Sequence, residues 1–233
     1  MPHVKQVGEL AVAAKSFADA HGASLSEALE KESRLVLYWL SYLNQYQRTG
    51  VADQLLDGVA SAVREGAACL AMGLVRPTIL SFRTEIDLVL CWLFFKDHKI
   101  EWDRINATGE GYKLKKEIFD YLNTHFSGFN ARFNLLQSIS SKPDQDAYRL
   151  LSAHIHNQST AVVVSAAELK NVVRSEKLCR EAVALRRLVS EYINDVMLSV
   201  FAPQWNALPK KISDAAVARF SSAPQKKKFF EGV

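Results

Sequence analysis

"RPTILSFRTEIDLVLCWLFF", residues 76–95, decides how this chain folds. Pro77 disfavours helical geometry at Arg76 and suits the first turn of a helix that starts there. The spacing predicts that this helix runs to about His98. Its second half, Ile86 to Phe95, is the most apolar run in the chain. A bilayer span needs roughly 20 apolar residues, so a run this short fits a helix buried on most sides by protein instead. A chain organised around such a helix is a helical bundle, and the flanking sequence agrees.

N-terminal to this helix, "SLSE" at Ser24–Glu27 has the form of a capping box. Leu29, Leu35, Val36, Trp39, Leu40 and Leu43 then repeat at three- and four-residue intervals, predicting a helix that stops near Gly50. A third helix is expected from about Val51 to Val75, where the small residues of "GAACLAMG" let a neighbouring helix come close. C-terminal to it, "NATGEGY" (106–112) and "SSKPDQD" (140–146) read as loops on either side of an amphipathic "KLKKEIFDYL". The acidic end of the second loop can start another helix. Ser175 to Phe201 reads as one long helix closed by Pro203. "TAVVV", Thr160–Val164, is a lone β-like run. The fold class is therefore all-α: a single helical bundle over residues 1–204, followed by a basic C-terminal tail over 205–233.

Composition supports this. The chain has 233 residues, 48% of them hydrophobic, enough to bury a core. Its 10 Gly and 6 Pro are too few for a sandwich or barrel with many tight turns. The first 22 residues are interrupted by Lys5, Glu9, Lys15 and Asp19, unlike a signal peptide. Cys69, Cys91 and Cys179 lack C-x-x-C spacing and read as buried thiols in a reducing compartment. A soluble, cytoplasmic protein with no membrane association is expected.

The net charge of +4 resides in the tail, where Lys210, Lys211, Arg219, Lys226, Lys227 and Lys228 face only Asp214 and Glu231. The body is neutral and carries no compositional sign of nucleic-acid binding. The lysines at 210, 211, 226, 227 and 228 are the candidates for phosphate contact, on a tail expected to be mobile. No P-loop, nucleophile elbow or dinucleotide fingerprint occurs. His98, Glu101 and Asp103 lack a further His or Cys at ligand spacing, so neither a metal nor another cofactor is expected.

The chemistry-bearing stretch is "DAYRLLSAHIHNQS", residues 146–159. At about 100° per residue, Ser152 lies at about 300° and His156 at about 340° from Arg149, while His154 points about 140° away. Arg149, Ser152 and His156 thus share one face. An arginine and a histidine two turns apart can meet one phosphate, the first holding its charge and the second exchanging a proton near neutral pH. The spacing is short and equally compatible with Arg149 paired to a carboxylate and His156 bonded to a loop.

With Arg149 followed by His154 after four residues or His156 after six, the chain resembles the HEPN superfamily, helical bundles whose signature is R-x4–6-H on a late helix. "GLVRPTILSFRTEIDLVLCWLFF", with Arg76, Arg83 and Glu85, and "LLSAHIH", with Ser152 and His156, resemble the element order of HEPN-like bundles over roughly residues 50–200. Leu150 departs from the polar residue that follows the arginine in many active members. The resemblance implies a homodimer with facing motif helices, and metal-independent RNA cleavage through the 2′-hydroxyl. Arg149 would bind the phosphate, and His156 or His154 would move the proton. Glu85 would be either an orienting carboxylate or half of a structural ion pair with Arg83. Such domains recur in toxin–antitoxin and phage-defence modules. The competing reading is a non-catalytic adaptor that uses the same bundle to dimerise or to dock a partner protein or nucleic acid.

Overall fold

A computed structural model describes residues 2–158 and 165–232. Among them there is no strand, and the chain is all-α. The β-like run Thr160–Val164 lies outside the described residues. The helices are α1 (Pro2–Phe17), α2 (Ala23–Tyr46), α3 (Gln54–Ala71), α4 (Val75–Phe95), α5 (Lys99–Thr108), α6 (Lys115–His125), α7 (Phe129–Ser138), α8 (Ala147–Ile155), α9 (Glu176–Phe201), α10 (Lys210–Val217) and α11 (Ala223–Glu231). A π turn, Ala18–Gly22, joins α1 to α2. No described helix is long and apolar enough to cross a membrane.

The helix starts differ from the sequence expectation at one point. Ser24 and Glu27 do not cap a helix, because the chain is already helical through the π turn, and the Ser24 hydroxyl donates back to the His21 carbonyl at 3.0 Å. Elsewhere the boundaries shift by a few residues. α2 stops at Tyr46, and the Asp53 carboxylate then accepts the amide of Gly50 at 2.8 Å.

The residues form two compact units. The first comprises the segment up to Arg34, Ser61–Glu85 and Gln145–Val189; the second comprises Leu35–Ala60, Ile86–Asp144 and the residues from Ser190 on. α2, α3, α4 and α9 contribute residues to both.

In the first unit the "GAACLAMG" segment serves close approach. A side chain at Gly66 would press against Ser81 and Phe82 of α4 at 3.4 Å. Gly73 takes φ +77° and lies so close to Val173 and Phe17 that a Cβ would meet them at 2.9 and 3.1 Å. At the centre of the unit Glu85, Arg186 and Ser33, from α4, α9 and α2, are all buried, with Arg186 Nη1 donating to Glu85 at 2.5 Å and Nε to the Ser33 hydroxyl at 2.8 Å.

In the second unit the run Ile86–Phe95 does what its composition demands: Trp92 and Leu93 are fully buried and Ile86 and Phe95 nearly so. From residue 205 on the chain is helical and packed. α10 buries Ile212 and Ala216, and α11 buries Phe229, whose ring packs with Trp205, Phe220 and Phe230 at 5.3–5.9 Å. Arg132 fastens it, donating to the carbonyls of Phe229 at 2.9 Å and Ser127 at 2.7 Å. Arg219 pairs with buried Asp195 and also donates to the Leu136 carbonyl at 2.7 Å. Four aromatic residues set among lysines supply an anchoring core that net charge and Pro content conceal.

Candidate functional site

α8 carries the candidate strip, and its ends are defined by short-range chemistry. Asp146 is the N-cap, its carboxylate accepting the Arg149 amide at 3.2 Å. At the other end His156 is the C-cap and Asn157 takes a left-handed φ of 49°. The Gln158 amide then reaches the Ala153 carbonyl at 3.1 Å, the six-to-one bond of a Schellman ending, with asparagine in the position that glycine usually fills. Ala147 and Leu151, four apart, are buried and seat the helix.

α4 touches α8 near both ends. The Arg83 guanidinium lies over the Tyr148 ring at 3.7 Å from its centroid, and Arg76 Nη2 donates to Asn157 Oδ1 at 3.4 Å. The two stretches read together in the sequence, "RPTILSFR" and "LLSAHIH", are therefore neighbours within one unit.

On this frame Arg149 and His156 are exposed, while Ser152 and His154 are half-buried. Neither the Arg149 guanidinium nor the His156 ring has a hydrogen bond or ion pair among the described residues. The Ser152 hydroxyl donates to the Tyr148 carbonyl at 2.8 Å, so its proton serves the backbone and not a neighbouring side chain. Burial holds the His154 imidazole below its ordinary pKa.

Glu85 does not join them as an open orienting carboxylate, and it does not pair with Arg83. Two residues apart on a helix face different sides. Arg83 turns to Tyr148, whereas Glu85 turns inward, has no exposed surface and is held by Arg186. Burial raises its pKa and Arg186 draws it back down. The sequence reading missed Arg186 because its partner lies 101 residues away.

The basic candidates are distributed over two helices. Lys210 and Lys211 open α10, and Lys226, Lys227 and Lys228 lie in α11. All are exposed. Lys227 sits 3.6 Å from Glu231, and Lys211 lies over the Tyr38 ring at 4.7 Å. Among the described residues no three His, Cys, Asp or Glu side chains converge as metal ligands. None of the cysteines is in a disulfide; Cys179 is buried, but Cys69 and Cys91 are half-exposed, contrary to the expectation of three buried thiols.

Also missed was an aromatic row on α2. Tyr38, Tyr42 and Tyr46 recur every four residues, a spacing that places them on one helix face and that the sequence displays openly. Comparison with protein-family models, with curated proteins and with solved structures returns no match.

Proposed function

We propose that this chain is an HEPN-like helical protein whose α8 strip cleaves RNA without a metal ion, acting as a homodimer in a defence or toxin module. One observation carries the proposal: Arg149 on α8 and His156 at its C-cap are both exposed, and neither is occupied by a carboxylate among the described residues. An adaptor that used these groups structurally would pair them internally, as the same unit pairs Arg186 with Glu85.

In this reading Arg149 neutralises the scissile phosphate as negative charge builds on it. His156 takes the proton from the 2′-hydroxyl, whose oxygen attacks the adjacent phosphorus. The 5′-oxygen leaves with a proton drawn from water, the protonated His156 returns its own proton to the solvent, and a 2′,3′-cyclic phosphate remains on the upstream fragment. His154, half-buried and biased towards its neutral form, supports the helix instead. Glu85 acts through the fold and does not touch RNA.

The test is cleavage of end-labelled single-stranded RNA by purified protein in EDTA, with the wild type beside Arg149→Ala and His156→Ala. A 2′-deoxy substitution at the cleaved position should block the reaction. Wild-type protein without activity on total cellular RNA, or activity that survives both substitutions, would hand the molecule to the adaptor reading.

A further inference from the structure

From the second unit we infer a nucleotide-binding cleft between α2 and the start of α10, built on Tyr38, Tyr42, Tyr46, Gln204 and Lys211. It is independent of the α8 reading. The cleft has a volume of about 670 Å³, within the range of small-molecule sites. Its floor is one face of α2, where Tyr38, Ser41, Tyr42, Gln45 and Tyr46 follow at intervals of three and one.

The chemistry of this lining is selective. Tyr46 is 64% exposed, although a tyrosine ring gains from being covered. It is braced by Tyr42, whose ring centroid is 5.6 Å away and which is itself buried. Gln47 fixes the polar edge, donating to the Tyr42 hydroxyl at 3.0 Å and to Gln204 Oε1 at 3.1 Å. The Ser41 hydroxyl and the Gln45 amide make no hydrogen bond among the described residues and line the same space. Lys211 supplies a cation with no carboxylate at ion-pair distance among the described residues, and its ammonium lies over the Tyr38 ring.

An exposed ring to stack on, amides that both donate and accept, and one unneutralised ammonium together fit a planar heteroaromatic base joined to a phosphate. An apolar ligand would leave the amides and the lysine unused, and a cationic ligand would be repelled by Lys211. The shared chemistry is one nucleotide unit, which can arrive free or within a single strand. Stacking on tyrosine beside a basic side chain serves both.

The experiment uses the full chain. Calorimetry with AMP, UMP and ribose 5-phosphate, and fluorescence anisotropy with labelled decamers of rA and rU, are run on the wild type, Tyr46→Ala and Lys211→Gln. Both substitutions are at exposed positions, and circular dichroism checks their folding. Tyr46→Ala should weaken binding of the base-containing probe about tenfold or more, as loss of a base stack does. Lys211→Gln should weaken it and reduce the salt slope by about one. AMP or UMP binding above ribose 5-phosphate identifies a free nucleotide; binding of the decamers alone identifies a strand. No binding of any probe, or binding indifferent to both substitutions, overturns the inference. AMP and UMP lack the internucleotide phosphate that the α8 strip would hold, so the Arg149→Ala variant should bind these two as the wild type does, and loss of cleavage and loss of this site are read separately.

Discussion

Two arginines in the first unit have opposite fates. Arg186 has no exposed surface, donates to Glu85 and Ser33, and lies 5.3 Å from the Phe82 ring centroid. Arg149, on α8, is exposed and its guanidinium meets no partner among the described residues. The contrast separates scaffold from chemistry. A charge taken out of water is tolerated only when it is paired, and Arg186, paired with Glu85 and closed off from solvent, is out of a substrate's reach. A charge held at the surface by a capped helix keeps its bonding capacity for whatever arrives.

The sharpest way to break this comparison is to remove each group in turn. Under the RNA-cleavage reading, His156→Ala and Arg149→Ala should each lower the rate by about 10²–10⁴-fold, the usual contribution of a positioned acid–base group. Arg149→Lys should not restore it, since a point charge lacks the planar fork. Both alanine variants should unfold in urea within about 0.5 kcal/mol of the wild type, because both side chains are exposed and neither makes a hydrogen bond or ion pair among the described residues. A large loss of stability would place the strip with the scaffold.

Glu85→Ala should behave in the opposite way. It strands the Arg186 guanidinium in the core, a change that costs about 3–5 kcal/mol in comparable buried pairs. Urea unfolding measures it. Glu85→Leu combined with Arg186→Met removes both charges and should recover most of that loss. Stability untouched by Glu85→Ala would mean that the pair is not the structural element its burial makes it.

The C-terminal helices sharpen the comparison within the second unit. Phe229 is fully buried although it follows three consecutive lysines. Phe229→Ala should cost about 3 kcal/mol, typical of a buried aromatic ring, and protease cleavage after residue 205 should become faster. Lys226→Ala, at an exposed position beside it, should leave stability unchanged.

These cases also mark how far the sequence could be read. Periodicity and a run such as Ile86–Phe95 suffice for an all-α fold, because burial of an apolar stripe is a local consequence of helix geometry. The end of α8 was legible for the same reason: Asp146 and Asn157 act on backbone groups a few residues away. Glu85 was misplaced because its partner is 101 residues distant, and only its direction on α4, opposite to Arg83, hinted that it points inward. The packing of the C-terminal helices was not legible because composition averages Lys226, Lys227 and Lys228 with Phe229, while the fold buries Phe229 and leaves the lysines exposed.

The smallest effect expected is at His154, and it separates the two histidines of the strip. Burial disfavours the charged imidazole in the folded chain, so its pKa lies below the ordinary 6.5. In the unfolded chain that penalty is absent. As pH falls through 6.5 the unfolded state takes up a proton that the folded state resists, and stability drops. Above 6.5 both states are neutral and the contribution is flat; below the folded pKa both are protonated and it is flat again. Stability measured by urea unfolding at intervals from pH 8 to pH 5 should therefore decline towards acid less steeply in His154→Gln than in the wild type. The same substitution should reduce RNA cleavage far less than His156→Ala does. An unchanged pH slope together with abolished cleavage would make His154 the working histidine of the four-residue spacing, and His156 a cap.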